Sequence, residues 1–257
     1  MTRTRNNIPN MSSAFEALNR LFQKVLETHK KLKNENIWWR GQPKPGLLLQ
    51  PKIFRNSSDA VVREYNLIHS FLRQAPLRYP AWPTERSHQL VLMQHYGLST
   101  RLLDWSQGLL TALYFAVNRE DLLNEPASLW ALNPYKLNKA QFPNPSTAVF
   151  HHNSSEVKGI VDAAFNGTSN NENHIIAMSG PEVDLRMLVQ WSVFTIHESE
   201  MDMEKLQSEL KGDFLEEIKI PADDRCLLRQ ALEIVGISHS RLFPDLQSLA
   251  EDLESKI

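Results

Sequence analysis

Cysteine is almost absent: Cys226 is the single one in 257 residues. That excludes an intramolecular disulfide and a thiolate metal cluster, and the expected setting is a reducing cytoplasm. No stretch approaches the roughly 18 consecutive apolar residues of a membrane span. The opening MTRTRNNIPN has no apolar run behind its arginines, so a secretory leader is not expected. An excess of one charge is missing too. Lys and Arg number 28 against 30 Asp and Glu, for a net charge of −2. No general pull toward nucleic acid or an anionic membrane follows, and any nucleic-acid contact must be local. GxGxxG, a Walker loop, HExxH and GxSxG are all lacking, which leaves the common nucleotide folds, zinc hydrolases and serine hydrolases without support. No internal repeat is visible. His151 and His152 are adjacent and would point to opposite faces of a strand. No metal is expected.

What is present is apolar residues in regular spacing. They make up 42% of the chain, enough for a sizeable core. Ser13 and Glu16 form a capping box before a helix reaching about Lys33. Ile37-Trp38-Trp39 reads as a strand, and Gly41, Pro43, Pro45 and Gly46 make a loop. Asp59 can cap a helix ending near Leu72, and a second helix follows Pro83 and stops at Gly97. Residues 107–118 are apolar nearly all round, as in a buried helix. Strands are expected at 128–132, 174–178, 188–197 and before Pro221. Ser199 can cap a helix holding Met203 and Leu206, Cys226 to Val235 is helical, and Pro244 opens a last helix. Residues 134–173, with Pro143, Pro145 and TSNNEN, are the least regular. The expected class is α+β, with a helical N-terminal half packed on a mostly antiparallel sheet.

Two stretches are dense in functional side chains, WWRGQ at 38–42 and MQHYGLSTRLLDW at 93–105. Arg40 can recognise phosphate or carboxylate in two-pronged fashion, and Gly41 lets a ligand approach the backbone. Arg101 and Asp104, three apart, could pair on one helical turn as a buried brace with Trp105. His95, Tyr96, Ser99 and Thr100 remain to face a cleft. Gln190 is a polar residue in a strand-like run, flanked by Glu182, Asp184, Glu198 and Glu200. Any of these could supply a carboxylate, and the residues alone do not choose.

WWRGQ, LQPKIFR, LMQHYGLSTRLLDWSQGLLTALYFAV, LWALNP, QWSVFTIH and LFPDLQSLA together resemble the FRG domain, in family order over roughly residues 37–250. That family is named for the aromatic-Arg-Gly motif, here Trp39-Arg40-Gly41. The resemblance divides the chain into an N-terminal helical segment, 1–36, and an FRG domain, 37–250, forming one globular unit. Trp39 stands where the family usually has Phe or Tyr. Ser192 stands where it usually has Gly, which implies a narrower pocket near Gln190. FRG-domain proteins often look like parts of bacterial, phage-defence and toxin-like systems.

A looser similarity is to mono-ADP-ribosyltransferases of the Arg-Ser-Glu type, with WWRG, GLST and PEVDLRMLVQWSVF in the corresponding order. This implies an ADP-ribosyltransferase-like sheet and NAD as substrate, with no metal. Arg40, Gly41 and Gln42 would hold NAD together with Tyr96, Ser99, Thr100 and Arg101. Glu182 would be the catalytic acid, Gln190 and His95 would contact substrate, and Asp104 and Trp105 would brace the site. The chain would then be a toxin modifying RNA, DNA or protein, with an antitoxin partner and no membrane contact. A metal-independent nuclease, with His95 as acid or base and Arg40 and Arg101 on phosphate, is the alternative enzyme. A non-catalytic ligand sensor is the third reading.

Overall fold

A computed structural model of the chain describes residues 11–33, 36–55, 59–142, 149–169 and 172–254. The opening ten residues, Pro143, Pro145, and Asn170 and Asn171 of TSNNEN lie outside the described residues. The fold is α+β, and its residues group into two compact units. The first comprises residues 1–47, 108–131 and 216–257; the second comprises 48–107 and 132–215.

The first unit holds helices α1 (Met11–Leu32), α4 (Leu109–Val117), α9 (Ala222–Ile234), α10 (His239–Leu242) and α11 (Leu246–Glu254). Its strands β1 (Trp38–Gln42), β3 (Ala127–Leu132) and β7 (Leu215–Ile220) are neighbours in that order. The core gathers Leu18, Leu21 and Val25 of α1, Trp39, Leu113 and Val117 of α4, Leu129, Ile218, and Leu228 and Leu232 of α9. The helix expected to start after a Ser13 cap is already formed at Met11, so Ser13 sits in its first turn. Ser12, not Ser13, hydrogen-bonds Glu16.

Gly41 has a specific task here. A Cβ on it would lie 2.0 Å from the Ala112 carbonyl oxygen and 2.5 Å from the Ala116 nitrogen. The bare backbone expected to admit a ligand instead admits helix α4. Arg225 of α9 is fully buried and donates to the carbonyls of Pro43 at 2.9 Å and Glu125 at 3.2 Å. It thereby ties the loop after β1 to the approach of β3.

The second unit holds α2 (Ala60–Leu72), α3 (Arg86–His95), α5 (Pro134–Gln141), α6 (Ser155–Asn166), α7 (Leu185–Val189) and α8 (Met203–Glu209). Its strands run in the order β4 (Phe150–His151), β5 (Ile175–Ser179), β6 (Ser192–His197) and β2 (Leu102–Ser106). β5 and β2 pair antiparallel to β6, and the short β4 pairs parallel to β5. Ile68, Leu90, Val91, Ile160, Val161, Ile176, Phe194 and Ile196 are among its core residues.

Several sequence expectations change in this unit. LLDWS is strand β2, registered Leu102 to Ile196 through Ser106 to Ser192, so Arg101 and Asp104 share no helical turn. The run 188–197 is not one strand. It closes helix α7, turns through Trp191 at φ 50° and only then becomes β6. Helix α8 is capped by Asp202, whose side chain accepts from the Lys205 amide at 2.9 Å, and not by Ser199.

The stretch expected to be irregular contains α5 and α6. Asn133 caps α5 by accepting from the Tyr135 and Lys136 amides at 3.1 and 3.0 Å, with Pro134 behind it. Helix α5 then serves as a surrogate strand. The Asn138 side-chain amide exchanges two hydrogen bonds with the backbone of Ala177, at 2.9 and 2.8 Å. Gln141 does the same with Ile175 at 2.7 and 2.9 Å. Because β4 covers only Met178 and Ser179, these amides satisfy the rest of that edge of β5 and close it to further pairing.

Gly41→Ala should reduce folding stability by about 2–3 kcal/mol, because the helix backbone cannot yield as a side chain would. For a chain of this size that is a Tm drop of roughly 5–10 °C. An unchanged Tm in thermal unfolding would contradict the packing described.

Candidate functional site

The polar stretch 93–105 lies in the second unit, and its geometry begins with a helix end. Helix α3 closes in a Schellman turn: Gly97, at φ 84°, donates to the Gln94 carbonyl at 2.9 Å, and Leu98 donates to the Met93 carbonyl at 3.0 Å. This turn leaves His95 and Tyr96 at the last helical positions. Their rings meet edge to face at 5.1 Å, with Tyr96 58% exposed.

His95 Nε2 is in hydrogen-bond contact with Asp184 Oδ2. Asp184 is itself anchored, because its Oδ1 accepts from the Met187 amide at 3.0 Å as the cap of α7. Burial lowers the pKa of His95; the Asp184 carboxylate opposes that shift and Arg186 adds to it. Burial thus favours the neutral form of the imidazole. A neutral ring that donates its Nε2 proton to Asp184 carries its lone pair on Nδ1, the arrangement of a general base oriented by a carboxylate.

A second set of contacts fixes the loop between α3 and β2. Thr100 Oγ1 donates to Gln94 Oε1 at 2.7 Å and accepts from the Leu102 amide at 3.1 Å. The Gln94 Nε2 donates to Asp104 Oδ2 at 2.8 Å. One side-chain amide thus bridges the two ends of the loop. Asp104 also faces Arg55, whose guanidinium is depressed by burial and partly restored by that carboxylate. Ser99 and Thr100 are buried.

Arg101, expected in the ligand pocket, is 1% exposed and wholly engaged. Its Nε and Nη2 donate to Glu64 Oε2 at 2.9 and 2.7 Å, its backbone amide to Glu64 Oε1 at 2.9 Å, and its Nη1 to the Ile160 carbonyl at 3.1 Å. The expected Arg101–Asp104 brace is replaced by Arg101–Glu64 and Asp104–Gln94. No cation at position 101 is left to hold phosphate. Trp105 is buried as a brace should be, and its Nε1 donates to Thr195 Oγ1 at 3.2 Å.

The other expected residues are placed as follows. Glu182 is exposed on the loop leading to Asp184, two residues before it in the chain. Gln190 is the cap residue after α7, not a strand residue; its carbonyl accepts from Ser106 Oγ at 2.7 Å. Arg40, half-buried on β1 behind buried Trp38 and Trp39, belongs to the first unit. So does Gln42, which is buried with both ends of its amide used: Nε2 donates to the Leu47 carbonyl at 3.0 Å and Oε1 accepts from Trp130 at 2.9 Å. Gln42 is thus a packing residue. Sequence reasoning passed over Gln94 and Glu64 and left Asp184 as one of four carboxylates. The pairing across 89 residues between His95 and Asp184 has no local signal.

The fold and the site define an α+β protein with a histidine–aspartate pair at a helix end. Residues 35–125 match the family model of the FRG domain. The match contains WWRGQ and the whole of 93–105; the later blocks, with Glu182 and Gln190, lie beyond it. No curated protein and no solved structure matches the chain. Among the described residues, no helix is long and apolar enough to cross a membrane.

Glu64→Gln should destabilise the fold by about 3–5 kcal/mol, because it leaves the Arg101 charge buried without its carboxylate. The paired replacement Glu64→Leu with Arg101→Met should cost less than either single change. Chemical denaturation of the four proteins measures the coupling; additive losses would show that the pair is not a unit.

Proposed function

We propose that this chain is an NAD-using, ADP-ribosyltransferase-like effector in which His95 is the general base. The observation that supports the reading is the His95–Asp184 contact. It puts a neutral imidazole beside an exposed tyrosine ring and beside the loop that carries the Glu182 carboxylate. In ADP-ribosyl transfer the ribose–nicotinamide bond breaks, its electron pair leaves with nicotinamide, and the anomeric carbon becomes cationic. An acceptor O–H or N–H then bonds to that carbon and loses its proton. Glu182 would stabilise the developing cation, Tyr96 would stack on a nucleotide ring, and His95 Nδ1 would take the acceptor proton. Arg40 is the phosphate-binding candidate that the family resemblance supplies. A toxin acting on nucleic acid or protein, paired with an antitoxin in phage defence, is the setting that resemblance favours.

The same carboxylate-oriented imidazole also suits a metal-independent nuclease, in which His95 would deprotonate a ribose hydroxyl. The loss of Arg101 as a phosphate ligand weighs against it.

Nicotinamide release from NAD, followed with purified protein against RNA, DNA and protein acceptors, tests the proposal. Release should require an acceptor and fall about 10²–10⁴-fold in His95→Ala, with losses also in Glu182→Gln and Arg40→Ala. Folded protein that leaves NAD intact contradicts it, and RNA cleavage without NAD would select the nuclease.

The pH dependence follows from the direction of the His95 shift. A base must be unprotonated, so kcat/KM should fall as pH drops through a pKa below the ordinary imidazole value of about 6.5. Asp184→Asn removes the charge that opposes burial, so the acidic limb should move to still lower pH while the plateau drops through lost orientation. A limb above the ordinary value, or one unmoved by Asp184→Asn, would exclude His95 as the base.

A further inference from the structure

A second polar cluster lies at the other end of β6. Asp184 to Trp191 lead into that strand, whereas Glu198 follows it directly. The Glu198 amide donates to the His174 carbonyl at 2.9 Å, extending the β5–β6 pairing by one position. That register makes His174 and Glu198 cross-strand neighbours. Glu172, two residues before His174, brings its carboxylate to the same imidazole. Three donor side chains therefore converge, two of them because of the strand register.

The distances suit a cation. His174 Nδ1 is 2.9 Å from Glu172 Oε2 and 3.1 Å from Glu198 Oε2. One donor atom from each residue lies within 4.8 Å of the others. A metal bound at about 2.0–2.2 Å from each donor sets neighbouring donors roughly 3.0–3.5 Å apart. The side chain of Glu198 is only 3% exposed, whereas that of His174 is 31% and that of Glu172 is 64% exposed. The cluster thus has a buried anionic floor and an open side. The Phe142 ring, 5.1 Å from the His174 ring, limits that imidazole's rotation.

We propose that Glu172, His174 and Glu198 bind a divalent first-row metal ion of the Zn²⁺ type, through one oxygen of each carboxylate and Nδ1 of the imidazole. Solvent on the open side supplies the remaining ligands. The imidazole selects such an ion over Mg²⁺ and Ca²⁺, which take oxygen donors. The ion clasps the segment before β5 to the end of β6. This reading is independent of the function proposed for His95.

Zn²⁺ titrated alone into the full-length, chelator-treated chain is the test, read by calorimetry and by thermal unfolding. One saturable Zn²⁺ site is expected, with Mg²⁺ binding at least tenfold weaker, and Tm should rise with Zn²⁺. His174→Ala and the exposed-site variant Glu172→Gln should each weaken Zn²⁺ binding at least tenfold and abolish the Tm rise. His151→Ala, at a separate histidine pair, should change neither. Absence of saturable binding overturns the proposal. So does binding that persists in both His174→Ala and Glu172→Gln, or that is lost in His151→Ala.

Discussion

The second unit depends on a buried ion pair between Arg101 and Glu64. Both side chains are withdrawn from water, so the pair persists only because every charged arm finds a partner. Glu64 grips the guanidinium with one oxygen and the Arg101 backbone amide with the other. The remaining arm reaches the Ile160 carbonyl on α6, and the Arg101 carbonyl accepts from His197 at the end of β6. One residue thereby ties α2, α6 and the β2–β6 pairing together. With the start of β2 fixed in this way, the short loop back to α3 has little freedom. The Gln94 amide removes most of what remains by holding Thr100 and Asp104 at once.

That rigidity gives the His95–Asp184 contact its meaning. A histidine at a frayed helix end would swing in solvent and titrate as a free imidazole. Here a Schellman turn sets its backbone, and Asp184 is itself held by the cap of α7. The two stretches that meet, 93–100 and 180–190, are far apart in sequence, and each is held by its own local hydrogen bonds. The His95–Asp184 contact thus joins two segments whose backbones are each fixed by their own turn.

Much of the secondary structure was legible because its signals are local. Asp59, Gly97 and the apolar run at 107–118 marked boundaries that depend on nothing distant. Helices α5 and α6 were obscured by the prolines and polar residues around them, although Asn133 caps α5, and Ser154 and the left-handed Gly167 cap α6. Strand β2 was misread because three-residue spacing between Arg101 and Asp104 suits a helix, whereas pairing with β6 decides the matter. The site was legible in part. Residues 93–105 were recognisable as special, but their roles were exchanged. Arg101 looked like a ligand-binding cation until its buried partner 37 residues upstream appeared, and Gly41 looked open until α4 filled the space beside it. Long-range partners decide which polar residues are structural, and such partners leave no periodic trace.

The central claim is that His95 is a neutral, carboxylate-oriented base at pH 7. Nitrogen-15 NMR of the imidazole rings, titrated from acid to neutral pH in wild type and Asp184→Asn, addresses it without assuming a substrate. The account predicts a His95 ring protonated on Nε2 alone at pH 7, with a pKa below the ordinary imidazole value that falls further in Asp184→Asn. A doubly protonated ring at pH 7, or a neutral ring carrying its proton on Nδ1, would contradict it.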